Sequence, residues 1–287
     1  MQRILLCTDG SIFAQSSYRY AAWIAPLLEA HIDVLYVTDI RSQRVASTGN
    51  LSGSIGIDAS KELLKKLVDL EHEKAKLNHQ RAKLILEDAK QFFQSVNFQN
   101  VSILHETGFL VDIFQKFEDT TDLIMLGKRG EAAEFASGHL GANTDRIVRT
   151  SRKPCFITSR QFQPVERLLL AYDGSQSSQK ALKFLVQSPA LKGLELHILT
   201  VTKKLDDAAA IAHLNDAEQQ AKAAGFLPIS QLVQGNPETA IASYIPQHNI
   251  SLLLMGVYGH RRIRHLVIGT TTAQTLRSSN IPVLLFR

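Results

Sequence analysis

Gly256, Gly259 and Gly269 frame a stretch whose residue types suit one kind of chemistry, the holding of a polyphosphate. Nine residues, 260–268, separate the last two glycines, among them His260, Arg261, Arg262, Arg264 and His265, and Thr270, Thr271 and Thr272 follow at once. Glycine lets the backbone come within reach of an anion, and a helix start offers N–H groups and the positive end of its dipole. The basic cluster has three readings that the residues alone leave open: a phosphate clamp, a nucleic-acid patch or a solvated loop. Other chemistry finds less support. Neither Gly-x4-Gly-Lys-Ser/Thr nor Gly-x-Gly-x2-Gly occurs, and no spacing assembles a nucleophile, base and orienting group. His72 and His79 stand seven apart in a charged segment, which reads as helix surface, and no His/Cys grouping has metal-ligand spacing.

The glycine stretch needs a strand before it and a helix after it. The run Ile250-Ser251-Leu252-Leu253-Leu254-Met255 reads as the strand, and 273–277 continues as the helix. The same arrangement occurs twice. Arg3-Ile4-Leu5-Leu6-Cys7-Thr8-Asp9-Gly10-Ser11 recurs as Arg167-Leu168-Leu169-Leu170-Ala171-Tyr172-Asp173-Gly174-Ser175, an offset of 164. The apolar runs ending in Val37 and Val201 keep that offset, while Gly127 and Gly130 answer Gly256 and Gly259 at 129. The chain is therefore two copies of one unit, 1–160 and 165–287, the first carrying about 35 extra residues. Each copy alternates apolar runs with helix-period segments, β-α-β-α-β-α-β-α-β. This predicts an α/β fold of two tandem, doubly wound, open parallel five-stranded sheets of Rossmann-like type. In such sheets ligands sit beyond the carboxyl ends of the strands, which places Asp173, Val201, Met255 and Gly256 together, and Asp9, Val37 and Gly127 likewise. A carboxylate, an apolar wall and a glycine-hydroxyl loop describe a nucleotide pocket.

The extra residues, about 41–95, divide into a Gly/Ser-rich loop over 41–59 and a long amphipathic helix over 60–95. Its apolar positions, Leu63, Leu67, Leu70, Leu77, Leu84 and Phe92, are expected to pack on its own sheet, with partner binding as the other reading. The net charge of +5 is mostly interleaved with acids, which argues against nucleic acid as the partner. No apolar run reaches the length of a membrane span and the first residues turn polar too soon for a signal peptide, so the expected compartment is the cytoplasm, without membrane association. Cys7 and Cys155 both lie in apolar runs and read as packing thiols in a reducing compartment.

The chain resembles the universal stress protein family in its tandem two-domain form, over nearly its whole length. The token is the family's ATP signature, Gly-x2-Gly-x9-Gly followed by Ser or Thr, met here by Gly256, Gly259, Gly269 and Thr270. The resemblance implies a fold like that of the adenine nucleotide alpha-hydrolases. It also implies ATP, with or without Mg²⁺, as a regulatory ligand in stress response, its triphosphate on residues 256–272. Asp173 would then lie near ribose and adenine, and Val201 beside the base. Members commonly pair through their last strands, so 153–158 and 281–286 are expected to join the halves as an internal pseudo-dimer, with a further homodimer open. The first copy departs from the signature. Ten residues separate Gly130 from Gly141, Ala142 replaces the hydroxyl residue, and Glu131 and Glu134 stand where the second copy is basic, with Lys128 and Arg129 compensating in part. ATP carries about four negative charges, so this copy is expected to be a relic. Two other functions remain open: a nucleotide-free interaction protein holding a partner or an apolar small molecule in the groove between the halves and the 41–95 insertion, and a slow ATPase.

Overall fold

The computed structural model describes residues 2–39, 57–128, 140–257 and 270–287. The first half runs β1 (Arg3–Thr8), α1 (Ile12–Leu27), β2 (His31–Asp39), α2 (Ile57–Ser95), β3 (Val101–Gly108), α3 (Leu110–Glu118), β4 (Leu123–Gly127), α4 (Ala142–Thr150) and β5 (Cys155–Thr158). The second repeats it as β6 (Arg167–Ala171), α5 (Gln176–Val186), β7 (Glu195–Thr202), α6 (Ala208–Ala223), β8 (Ile229–Gln234), α7 (Pro237–Gln247), β9 (Leu252–Gly256), α8 (Thr270–Ser278) and β10 (Val283–Phe286). Strands β1, β4, β6 and β9 are continuous apolar runs because helices cover both faces of a parallel sheet. The edge strands β3 and β8 are only partly buried.

The strands form one ten-stranded sheet in the order β3-β2-β1-β4-β5-β10-β9-β6-β7-β8. Every pairing within a half is parallel, and the last strands β5 and β10 meet antiparallel, Phe156 opposite Leu284. Each of these two strands covers an edge that the other half would leave unpaired. The core continues across the seam. Ile4, Leu6, Phe156, Leu168, Leu170 and Leu284 belong to one buried layer, and Leu5, Cys7, Cys155, Leu169, Met255 and Leu285 to the layer on the opposite face. Burial pushes the thiols of Cys7 and Cys155 up to about 12, as suits packing residues.

Two expectations about the insertion are corrected. Of the expected loop, 57–59 already belong to α2, and 41–56 lie outside the described residues. The helix rests on its own sheet through Ala82, Leu86, Ala89 and Phe93, whereas Leu70, Leu77 and Leu84 are 60%, 64% and 72% exposed. Two small alanines build the packing stripe because they let the helix come close to the sheet.

Candidate functional site

In the second half, β6 and β9 are neighbours in register, Ala171 opposite Met255, so both carboxyl ends arrive at one edge. Just past β6, Asp173 Oδ1 accepts the Ser175 N–H at 3.0 Å, and Gly174 takes φ +74° between them. This turn fixes the carboxylate at the strand end and delivers Ser175 as the N-cap of α5, its hydroxyl accepting the Ser178 N–H at 3.3 Å. Gly256 closes β9 against that helix start: a Cβ there would lie 2.4 Å from Ser177 Oγ and 2.8 Å from Ser178 N. Only glycine fits so close a crossing. Val201 pairs with Val233, and these two and Val257 are half-buried against the layer that contains Met255. Met255 itself is wholly buried, its side chain part of the core. Helix α8 starts at Thr270, has no acidic residue in its first turn and buries Thr272. Gly259, His260, Arg261 and Gly269 lie outside the described residues, as do the side chains of Thr270 and Thr271.

The first half copies the turn and changes its surroundings. Asp9 Oδ1 accepts the Ser11 N–H at 3.0 Å around Gly10 at φ +75°. A Cβ on Gly10 would lie 2.5 Å from Ile85 of α2, where the second half sets His213 of α6 over Gly174. Gly127 ends β4, and its carbonyl accepts the Thr144 hydroxyl at 2.9 Å, while the Gly141 N–H donates to Lys128 O at 3.0 Å, so α4 is tied back onto the strand. Asp145 occupies the first turn of α4 and binds Arg149 at 2.7 Å. Val37 pairs with Glu106 where Val201 pairs with Val233, and Lys116 stands 3.9 Å from that carboxylate. The expected help of Lys128 to a phosphate is corrected: its ammonium donates to the carbonyls of Arg277 at 3.1 Å and Ser279 at 2.5 Å, at the carboxyl end of α8. A cation there completes the last turn of the helix and opposes its negative dipole end. Gly130 lies outside the described residues.

The sequence profile of the universal stress protein family matches residues 1–159 and again 164–287. The chain belongs to that family. Among curated relatives, it is 56% identical to the universal stress protein Slr1230 of Synechocystis sp. (strain ATCC 27184 / PCC 6803 / Kazusa), over 100% of both chains. Among solved structures, a universal stress protein from Archaeoglobus fulgidus DSM 4304 superposes with TM-score 0.69 at 23% identity, covering 99% of this chain and 98% of that one, and shares the fold. The family's tandem form and its mostly parallel α/β architecture are thus those of this chain.

Three neighbours of the second site, Ser177, Ser178 and His213, are not evident from motif spacing. The serines carry a partial signal, since Gln176-Ser177-Ser178 opens α5 where the first copy has Ile12-Phe13-Ala14. His213 carries none, because its place over Gly174 depends on how α6 crosses the sheet.

Proposed function

We propose that the second domain of this universal stress protein binds ATP as a regulatory ligand. The observation that carries the reading is the crossing of Gly256 on the first turn of α5, the helix that the Asp173 turn delivers. That edge has what an adenine nucleotide needs. Asp173 offers a carboxylate to ribose hydroxyls, and Val201, Val233 and Val257 offer an apolar wall to a base. The acid-free start of α8 offers N–H groups and positive dipole to phosphates. The spacing of Gly256, Gly259 and Gly269, with His260, Arg261, Thr270 and Thr271, supports the triphosphate on this loop, and a threonine hydroxyl with phosphate oxygens suits Mg²⁺. A bound nucleotide here is a regulatory signal in stress response, and the protein works in the cytoplasm. No helix among the described residues is long and apolar enough to cross a membrane.

Isothermal titration with ATP and Mg²⁺ tests the reading. Wild-type protein should bind one nucleotide per chain, and Gly269→Trp should lose about a hundredfold in affinity, the loss expected when phosphates are denied the backbone. Equal affinity in the variant, with its circular dichroism unchanged, would put the ligand elsewhere.

A further inference from the structure

Helix α2 carries two apolar stripes, and its own domain uses one. Ala82, Leu86, Ala89 and Phe93 are buried on the sheet, 0–5% exposed. Leu84, two residues from both Ala82 and Leu86, is 72% exposed and points away from that sheet. It continues a line with Leu77 and Leu70, 64% and 60% exposed, and half-buried Leu63. These four leucines recur every seven residues, the period at which one face of a helix meets a partner helix along its length. From 63 to 84 the stripe runs about 32 Å.

We propose that this leucine stripe pairs in parallel with the same stripe of a second copy of the chain. One pair of flanking residues complements itself. With the leucines at position d of the heptad, Lys66 falls at g and Glu71 at the following e, the two positions that meet between parallel strands. The two-fold axis makes that attractive pair twice. Half-buried Leu67 at position a adds a layer between Leu63 and Leu70. Lys74 and Arg81 take the next two a positions, and Glu73 of the second copy flanks Lys74, so one of the two cations in the seam meets an acid from the other helix. A polar residue at position a favours two strands in one register at some cost in stability. The stripe that rests on the sheet stays in place, because the second helix approaches from the opposite side. The two bodies would flank the helix pair at its carboxyl end. The matching helix α6 of the second domain has 16 residues against 39 and lacks the repeat, so the device belongs to the first domain.

Sedimentation equilibrium of the full chain is the test. Wild type should run at twice its 31.9 kDa, and Leu70→Glu with Leu77→Glu should run at 31.9 kDa with an unchanged circular dichroism spectrum, since both leucines are more than half exposed. Lys66→Glu should weaken the dimer roughly fivefold, and Lys66→Glu with Glu71→Lys should restore it. Orientation is read from Leu77→Cys under mild oxidation: the native thiols are buried, so a disulfide-linked dimer reports Leu77 facing its own copy. A monomeric wild type, a dimer that survives the double glutamate variant, or a dimer without the 77–77 link would each overturn the proposal.

Discussion

The two halves of this chain fold the same way and treat the same strand ends differently. Both bend Asp-Gly-Ser into a turn with a 3.0 Å carboxylate bond, and both end the fourth strand in glycine. Around those fixed points the second half places a serine-rich helix start, a valine pair and an acid-free helix end, while the first places Ile85, Glu106 and Asp145. The backbone of a doubly wound sheet thus supplies an edge to both copies, and the side chains give the two edges different charge and different neighbours. The first half has put its strand end to structural use. Thr144 ties Gly127 to α4, and Lys128 reaches across the seam to close α8 of the other domain.

The sharpest way to break this comparison is to make one change at matching places. Gly269→Trp should cost about a hundredfold in ATP affinity, whereas Gly141→Trp, at an ordinary φ of −59°, should leave affinity unchanged in the same titration. Equal losses would mean that both edges bind. Next in size is Gly256→Ala. Its methyl would meet the Ser178 backbone nitrogen as well as Ser177, and backbone cannot step aside, so a loss of about 2 kcal/mol is expected in urea unfolding. Pairing it with Ser177→Gly removes two of the three close atoms and should recover part of the loss.

Lys128→Met sharpens the asymmetry itself. If the ammonium serves α8, the variant should lose about 1 kcal/mol of stability and leave ATP affinity within experimental error, the effect expected for a partly exposed charged donor shared by two carbonyls. A fall in nucleotide binding without loss of stability would return Lys128 to the phosphate role that its sequence neighbours suggest.

The residues that sequence could not place share one property: their partners are distant along the chain. The apolar runs and the Asp-Gly-Ser turns were legible because each is local, a period or a capping signal within a dozen residues, and the duplicated order because those local signals recur. Lys128 meets residues 149 and 151 positions on, and Gly256 meets a helix some eighty positions back. No period or spacing announces such contacts. Helix α2 failed differently. Its existence was plain, but its leucines outweighed Ala82 and Ala89 as apolar signals, and the closest packing on a sheet goes to small residues. In the site, the spacing of three glycines was readable, yet the clearest geometric contrast, Glu106 opposite Val37 against Val233 opposite Val201, needed strand register. The third strands align at an offset of 127, as Gly108 and Gly235 show with φ of +153° and +151°, which makes Leu232 the counterpart of His105.

That counterpart suggests the smallest effect, a dependence of stability on pH confined to the first half. His105 Nε2 bonds the Thr38 hydroxyl at 2.9 Å, and its ring lies 5.6 Å from that of His79. Desolvation, then the neighbouring His79, holds its pKa below the usual histidine value, with Glu106 opposing them. Lys83, Glu87 and Lys90 of α2 line the same shallow cavity. The folded chain therefore binds the proton less readily than the unfolded chain. Above the ordinary histidine range, near pH 7.5, both states are neutral at this position and it contributes nothing. As pH falls through about 6.5 the unfolded state gains the proton first, so stability declines, and the decline ends once pH passes below the folded value. Carboxylates held low elsewhere, Glu195 by His197 and Glu218 by Lys222, lose their contribution only at more acid pH. Urea midpoints at about pH 7.5 and 5.5 should therefore draw together in His105→Leu, the residue of the second half, and an unchanged difference would assign the acid sensitivity to another group.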